Sequence, residues 1–422
     1  METLAEIERV ERDLFDKFLE QGQIFANKEV LRSSYTPESL PHRETQVNHM
    51  ASILVDALKE KTPSNIFVYG KTGTGKTAVV NYIGNELRKT GDGLSKSVNC
   101  IYINCDIVDT SYRVLTHIAN MIISDWDSRL PITGLPTDEV YNTLMEQMEA
   151  RGGVTTIVLD EIDKLFYKSG DGVLYTLLTM ASTLKNAKSH IIGISNDLKF
   201  REFLDPRVKS RLGEEEIIFE PYNATQLQDI LSARAKLAFN ENALDSNVIP
   251  LCAAIAAQEN GDARMALDLL RESAELAERE GGRTVIEKHV RKAQSKIERD
   301  RISEVIHTLP MQTKLVLLSI MMDEESRENG VDITTGEVYT RYSFLSKQVD
   351  TAPLTQRRIT ELISELDMLG IINARVVSFG RGGRTRLIQL NVSIPDVKAV
   401  MEKDDMIKPL LEYKPAKQAR LI

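Results

Sequence analysis

Residues 70–80 read GKTGTGKTAVV and match G-x-x-x-x-G-K-[ST] at Gly70, Gly75, Lys76 and Thr77. These residue types at this spacing suit the holding of phosphates. Glycines let successive backbone N–H groups turn inward around anionic oxygens. The helix that follows adds the positive end of its dipole. A lysine placed like Lys76 reaches β- and γ-phosphates, and a hydroxyl placed like Thr77 can ligate Mg²⁺.

More polar residues follow at the ends of apolar runs. TTIVLD ends in Asp160, and Glu161 follows it. An Asp at a strand end is the expected Mg²⁺ partner of the P-loop Thr77. The adjacent Glu161 can orient and deprotonate an attacking water. HIIGIS is followed by Asn196, placed to hold that water or a γ-phosphate. DPRVKSRLG offers Arg207 and Arg211, either of which suits an arginine finger reaching a neighbouring subunit's γ-phosphate; the SR pattern favours Arg211. GDARMALDLLR puts Arg264 at a helix start, from which it can sense the γ-phosphate.

These groups need a scaffold. The short apolar runs NIFVYG, CIYINC, TTIVLD, HIIGIS and EIIFE alternate with segments of helical period. Strands that are apolar throughout and alternate with helices predict a parallel sheet covered on both faces. After Pro221 the strand signal stops, and residues 223–300 read as a small helical domain. From 301 on, helical segments at 301–307, 311–322, 335–350 and 355–369 end at Gly370. The runs IINARVVSF and RTRLIQLNV follow, joined by a glycine-rich tip, and together they predict a winged helix. The first 30 residues show apolar positions at helical spacing, and YTPESLPHRE is extended. The expected domains are 1–221, 222–300 and 301–400, with a tail at 401–422.

Composition bounds the function. The chain has 422 residues and a net charge of -9, which argues against a protein that coats nucleic acid indiscriminately, although a local basic face stays open to it. Cys100, Cys105 and Cys252 show no zinc spacing and predict reduced core thiols. The six histidines form no pair at ligand spacing. No apolar run reaches the roughly 18 residues of a membrane span, and METLAEIERVERDLF is no signal peptide. The expectation is a soluble, intracellular protein.

Charge segregates near the C-terminus. Residues 341–390 hold eight basic and four acidic residues, a local +4. Residues 371–390 carry four arginines and no acid. Thr355, Gln356, Arg357 and Arg358 open a helix whose Ile359, Leu362, Ile363, Leu366 and Leu369 share one side. Helix-turn-helix proteins present such an N-terminal end to base edges. The wing residues Arg381 and Arg384, with Arg386 beyond them, suit phosphates or a minor groove.

The P-loop, the LDEID acids, Asn196, the SRL and GDAR arginines, in that order, resemble the AAA+ ATPase superfamily. With YTPESLPHRE, a lid that begins EPYNATQLQDIL and a C-terminal winged helix, the chain resembles the archaeal replication initiators. These are relatives of the largest origin recognition complex subunit and of the cell-division-control loader protein. The resemblance covers roughly residues 20–400.

It implies an AAA+ P-loop α/β domain, a helical lid and a winged helix. It also implies a slow ATPase that binds ATP and Mg²⁺, grips double-stranded origin DNA and recruits the replicative helicase and other initiator subunits. Gly73, Thr74, Gly75, Lys76, Thr77 and Ala78 would wrap the phosphates. Tyr222 and Arg234 match nucleotide-contacting positions, and Thr110 to Ile123 occupies the place of an inserted DNA-touching helix. Such a protein works in the cytoplasm on the nucleoid. A clamp-loader-like AAA+ ATPase and a winged-helix signal-transduction ATPase regulating transcription are the alternatives.

Overall fold

The computed structural model describes residues 24–32, 35–125, 128–197, 199–327, 332–378 and 384–411. The chain divides into two compact units, Met1–Arg291 and Lys292–Ile422.

The first unit is built on five parallel strands: β1 (Ile66–Gly70), β2 (Val98–Asn104), β3 (Gly153–Asp160), β4 (Ala187–Ser195) and β5 (Glu215–Phe219). Their order is β2-β3-β4-β1-β5, so the expected parallel sheet is borne out. Val154 to Asp160 in β3 are all buried, as a strand covered on both faces must be. One face packs Ile101, Ile103, Ile157 and Leu159 against α3 (Ser111–Ile122), α4 (Thr137–Arg151), α5 (Ile162–Ser169) and α6 (Gly172–Thr183). The other packs Ile66, Val68, Ile192 and Ile217 against α1 (Glu44–Leu58) and α2 (Lys76–Gly93). Two short helices, α7 (Phe200–Phe203) and α8 (Pro206–Leu212), precede β5.

Register places the chemistry on one edge. Asn104 pairs with Asp160, Leu159 with Gly193 and Tyr69 with Ser195. The carboxyl ends of β1, β3 and β4 therefore lie together, where open α/β sheets bind ligands.

The lid follows as α9 (Ala224–Ala238), α10 (Val248–Gln258), α11 (Ala263–Arg279) and the start of α12 (Glu287–Thr308). Asn223 and Gln226 form a capping box at the start of α9, each side chain bonded to the other's backbone N–H. Residues 24–31 belong to this lid by contact. The Ala26 and Asn27 amides donate to Ala238 O at 2.8 and 3.1 Å, and the Phe25 and Phe239 rings stack at 5.2 Å. Of the helical period expected over the first 30 residues, 1–23 lie outside the described residues. Residues Lys28–Leu31 form a single 3₁₀ turn.

The second unit has a winged-helix core: α13 (Met311–Glu325), β6 (Ile333–Thr334), α14 (Thr335–Gln348), α15 (Gln356–Met368), β7 (Ile372–Ser378) and β8 (Arg384–Leu390). The sheet order is β6-β8-β7. Ile359, Leu362, Ile363 and Leu366 of α15 are buried with Tyr342 and Ile388, which is the apolar side the sequence predicts. Leu369, grouped with them in sequence, is instead 49% exposed, because α15 has already ended and Gly370 turns the chain at φ +72°. Two-residue β6 is too short to leave a periodic signal in the sequence. Helices α16 (Ile394–Met401) and α17 (Lys408–Leu411) send Val397, Met401, Ile407 and Leu410 into the same core, so this core runs past position 400. Among the described residues no helix is long and apolar enough to cross a membrane.

Candidate functional site

The loop after β1 turns because its glycines can. Gly73 and Gly75 have φ of +68° and +88°. A Cβ on Gly73 would meet Asp262 Oδ1 at 1.7 Å, and one on Gly75 would meet the Tyr222 hydroxyl at 2.7 Å. Gly75 is the N-cap of α2, so the helix dipole opens directly onto the loop.

Lys76 is buried and its Nζ donates to Gly70 O at 2.8 Å and Lys71 O at 2.7 Å. Burial lowers its ammonium to about 8, with Asp160 opposing the shift. An incoming anion would restore the favoured charge. Thr77 Oγ1 donates to Asp160 Oδ2 at 2.7 Å, and the Tyr102 hydroxyl donates to the same oxygen at 2.5 Å. A carboxylate and a hydroxyl this close beside a phosphate cradle are hard oxygen donors of the kind Mg²⁺ takes, so the residues present fit that ion.

Glu161 follows in left-handed backbone, φ +55°. Partial burial, then the charges of Asp160, Asp106 and Asp163, push its carboxyl up. Asp163, not anticipated from sequence, is buried and fixes the β4 tip. It accepts from Ser195 Oγ at 2.9 Å and from the Asn196 amide at 3.4 Å.

The lid closes the other side. Ala263 N donates to Gly73 O at 3.0 Å, joining the first residue of α11 to the P-loop. Asp262 caps that helix by accepting from the Arg264 and Met265 amides at 2.7 and 3.2 Å. The resulting cavity of about 520 Å³ lies within the size range of small-molecule sites. Gly73, Thr74, Gly75, Lys76, Thr77, Ala78, Asp160, Glu161, Asn196, Tyr222, Arg234 and Arg264 all line it. Tyr35 to Pro41 form its lead-in wall.

Several side chains have partners that sequence did not show. Arg234 lines the cavity, but its guanidinium donates to Val30 O at 3.0 Å and Tyr35 O at 3.3 Å and stacks 4.6 Å from the Tyr35 ring. It thus holds the lead-in segment to the lid. Arg43, only 4% exposed, donates through Nε to Thr74 O and Tyr222 Oη, both at 3.0 Å. Of the two finger candidates, Arg207 is paired with Asp205 at 3.1 Å, whereas Arg211 is exposed on α8 and outside the cavity.

In the second unit, Thr355, Gln356, Arg357 and Arg358 are exposed at the start of α15, with the Arg357 side chain 92% exposed. Thr355 caps the helix by accepting from the Arg358 amide at 3.4 Å. Arg386 is engaged elsewhere: it donates to Thr360 O at 3.1 Å and Ser364 Oγ at 2.5 Å, tying β8 to α15. Arg384 opens β8, and Arg381 lies outside the described residues. The expected DNA-touching helix after Thr110 is α3, which buries Val114, Leu115, Ile118 and Ala119 in the α/β core.

Known proteins match this whole arrangement. The AAA domain family matches residues 59–196, the Cdc6 AAA+ ATPase-type lid domain 228–295, and the CDC6 C-terminal winged helix domain 304–400. The chain is 54% identical over 408 residues to the ORC1-type DNA replication protein of Thermococcus kodakarensis, covering 97% of this chain and 98% of that one. The chain belongs to the ORC1-type DNA replication protein family. The expected resemblance to archaeal initiators is thereby borne out.

The ORC1-type protein 1 of Methanosarcina acetivorans is likewise 54% identical, over 96% of each chain. Among solved structures, the Aeropyrum pernix ORC1 protein in complex with DNA superposes with a TM-score of 0.79 at 45% identity. It covers 92% of this chain and 99% of its own. The ORC1-type chain therefore carries an AAA+ ATPase domain with its lid and a winged-helix domain, as the sequence predicts.

Proposed function

We propose that the chain is an ATP-dependent replication initiator that binds double-stranded origin DNA and helps load the replicative helicase, with slow ATP hydrolysis as a switch. One observation carries this reading: Lys76, Thr77, Asp160, Glu161, Asn196 and Arg264, from three elements and two strand-end turns, converge on one cavity beneath the lid. The DNA complex of the Aeropyrum pernix relative supports the nucleic-acid side. The winged helix separates this reading from a clamp loader.

Gly73 to Ala78 cradle the phosphates with their amides, and Lys76 neutralises the β- and γ-oxygens. Thr77 and Asp160 would hold Mg²⁺, which supplies Lewis-acid neutralisation of phosphate charge. Glu161, its basicity raised by burial, accepts the proton of the attacking water. Asn196, held through its backbone by Asp163, positions that water. Arg264 at the start of α11 senses the γ-phosphate, so ATP and ADP set different lid positions. Arg211 reaches into a neighbouring subunit. Tyr222 bounds the nucleotide where the lid begins.

Thr355, Gln356, Arg357 and Arg358 meet base edges, and Arg381 and Arg384 meet the backbone. Arg386 acts through α15. We place the domains at 1–221, 222–300 and 301–400, with residues 24–31 docked onto the second. The protein then acts on the nucleoid, with other initiator subunits as neighbours.

Footprinting on DNA from the source genome tests the reading. A repeated protected site whose occupancy differs between ATP and ADP is expected. Lys76→Ala abolishes nucleotide binding and the difference. Sequence-independent protection that ignores nucleotide sinks the proposal.

A further inference from the structure

Among the described residues the chain crosses between the α/β sheet and the lid twice. The first crossing is residues 35–43, from the lid-docked 24–31 segment to the start of α1. The second is residues 220–222, from the end of β5 to the Asn223 cap of α9. Arg43 stands at the end of the first crossing and reaches the second. Its Nη2 donates to Glu220 O at 2.6 Å and its Nε to Tyr222 Oη at 3.0 Å. The guanidinium carbon lies 4.0 Å from the centre of the Tyr222 ring and 5.3 Å from that of Phe219.

The same Nε donates to Thr74 O in the P-loop at 3.0 Å. A peptide unit is planar and trans, so its carbonyl and the next N–H point in opposite directions. Holding Thr74 O therefore fixes where the Gly75 N–H points, and that N–H belongs to the phosphate cradle. The preceding peptide is held in the same way by the lid, through Ala263 N on Gly73 O at 3.0 Å. A buried guanidinium is costly unless its hydrogen bonds are satisfied. Here they are spent on the second crossing and on the cradle at once, from a residue that ends the first.

We propose that Arg43 is a positioning residue that couples nucleotide occupancy of the P-loop to the lid. It does so by standing at the end of the first crossing and binding the second crossing and the Thr74–Gly75 peptide together. The inference rests on the nucleotide-switch reading above and assigns the route by which that switch is transmitted. A purely structural arginine would stabilise both parts without linking them.

Hydrogen–deuterium exchange on the full chain tests it, with and without saturating ADP and Mg²⁺. In the unsubstituted chain ADP slows exchange in residues 73–80 and in Ala224–Ala238 of α9. In Arg43→Met the slowing at 73–80 persists and the slowing at Ala224–Ala238 is lost; Arg43→Lys restores part of it. A lid response in Arg43→Met equal to that of the unsubstituted chain overturns the proposal. Should Arg43→Met fail to fold or to bind ADP, Tyr222→Phe decides, because it removes one hydroxyl and keeps the ring. A reduced lid response there with the slowing at 73–80 kept supports the coupling; an unchanged lid response, or equal loss at both places, refutes it. No ADP binding by the unsubstituted chain would bring down the nucleotide reading as well. Binding with a normal lid response in both variants sinks the coupling alone.

Discussion

The Thr77 hydroxyl donates to Asp160 Oδ2 at 2.7 Å, joining the P-loop to the end of β3 across 83 positions of sequence. Both oxygens belong to the proposed Mg²⁺ site. Thr77→Val keeps the shape and removes the hydroxyl. The Kd for ADP should rise about tenfold in Mg²⁺, the equivalent of one charge-assisted hydrogen bond. In EDTA the two proteins should bind ADP alike. Titration calorimetry in both buffers checks this, and an equal loss in EDTA would count against the assignment.

Glu161 lines the cavity beside Asp160, with its carboxyl pushed up by burial. Glu161→Gln should bind ATP normally and lose turnover by about 10²–10⁴, the usual contribution of a general base. Single-turnover phosphate release measures it. Normal turnover would remove Glu161 from its role.

His190 lies fully buried on β4, its Nε2 2.8 Å from Thr156 Oγ1. Burial holds its pKa at about 3, against an ordinary 6.5. The unfolded chain therefore binds the extra proton between pH 6.5 and 3, and the folded chain does not. Stability from this group is complete above pH 6.5 and falls as pH drops through that window, by about 2 kcal/mol at pH 5. His190→Gln should flatten the difference between urea midpoints at pH 7 and pH 5. An unaltered difference contradicts the assignment.

Two arginines of the winged helix should fail differently. Arg357 is almost fully exposed at the start of α15. Arg357→Ala should weaken DNA binding by about 1–3 kcal/mol and relax specificity at the base it meets, with unchanged melting. Arg386 is bonded to Thr360 O and Ser364 Oγ. Arg386→Ala should lower the stability of the winged helix by about 1–3 kcal/mol, as a broken charged hydrogen bond does. Salt-dependent binding and thermal melts separate the two. A flattened salt slope with unchanged melting for Arg386→Ala would return that residue to the DNA.

The sequence by itself determined what depends on near neighbours along the chain. The five strands are short apolar runs between turns, and the runs overlap the observed strands within a few residues. The P-loop is a fixed spacing of glycines before a helix, and Asp160, Glu161 and Asn196 are strand-end residues whose place follows once the strands are parallel. Helix α15 shows its buried side as a period.

Only the tertiary structure decided which partners the charged side chains take. Arg43 looks like a surface arginine in PHRE, yet it is buried against residues 31 and 179 positions away. Arg386 reads as part of a cationic wing, yet it bonds α15 across 22 and 26 positions. Residues 24–31 read as the start of the first domain and pack instead on helices of the second. The reason is physical. A strand or a P-loop is specified by dihedral preference and side-chain period over a few residues. A guanidinium has five donors on a long flexible stem and can satisfy them on any carbonyl the fold brings near.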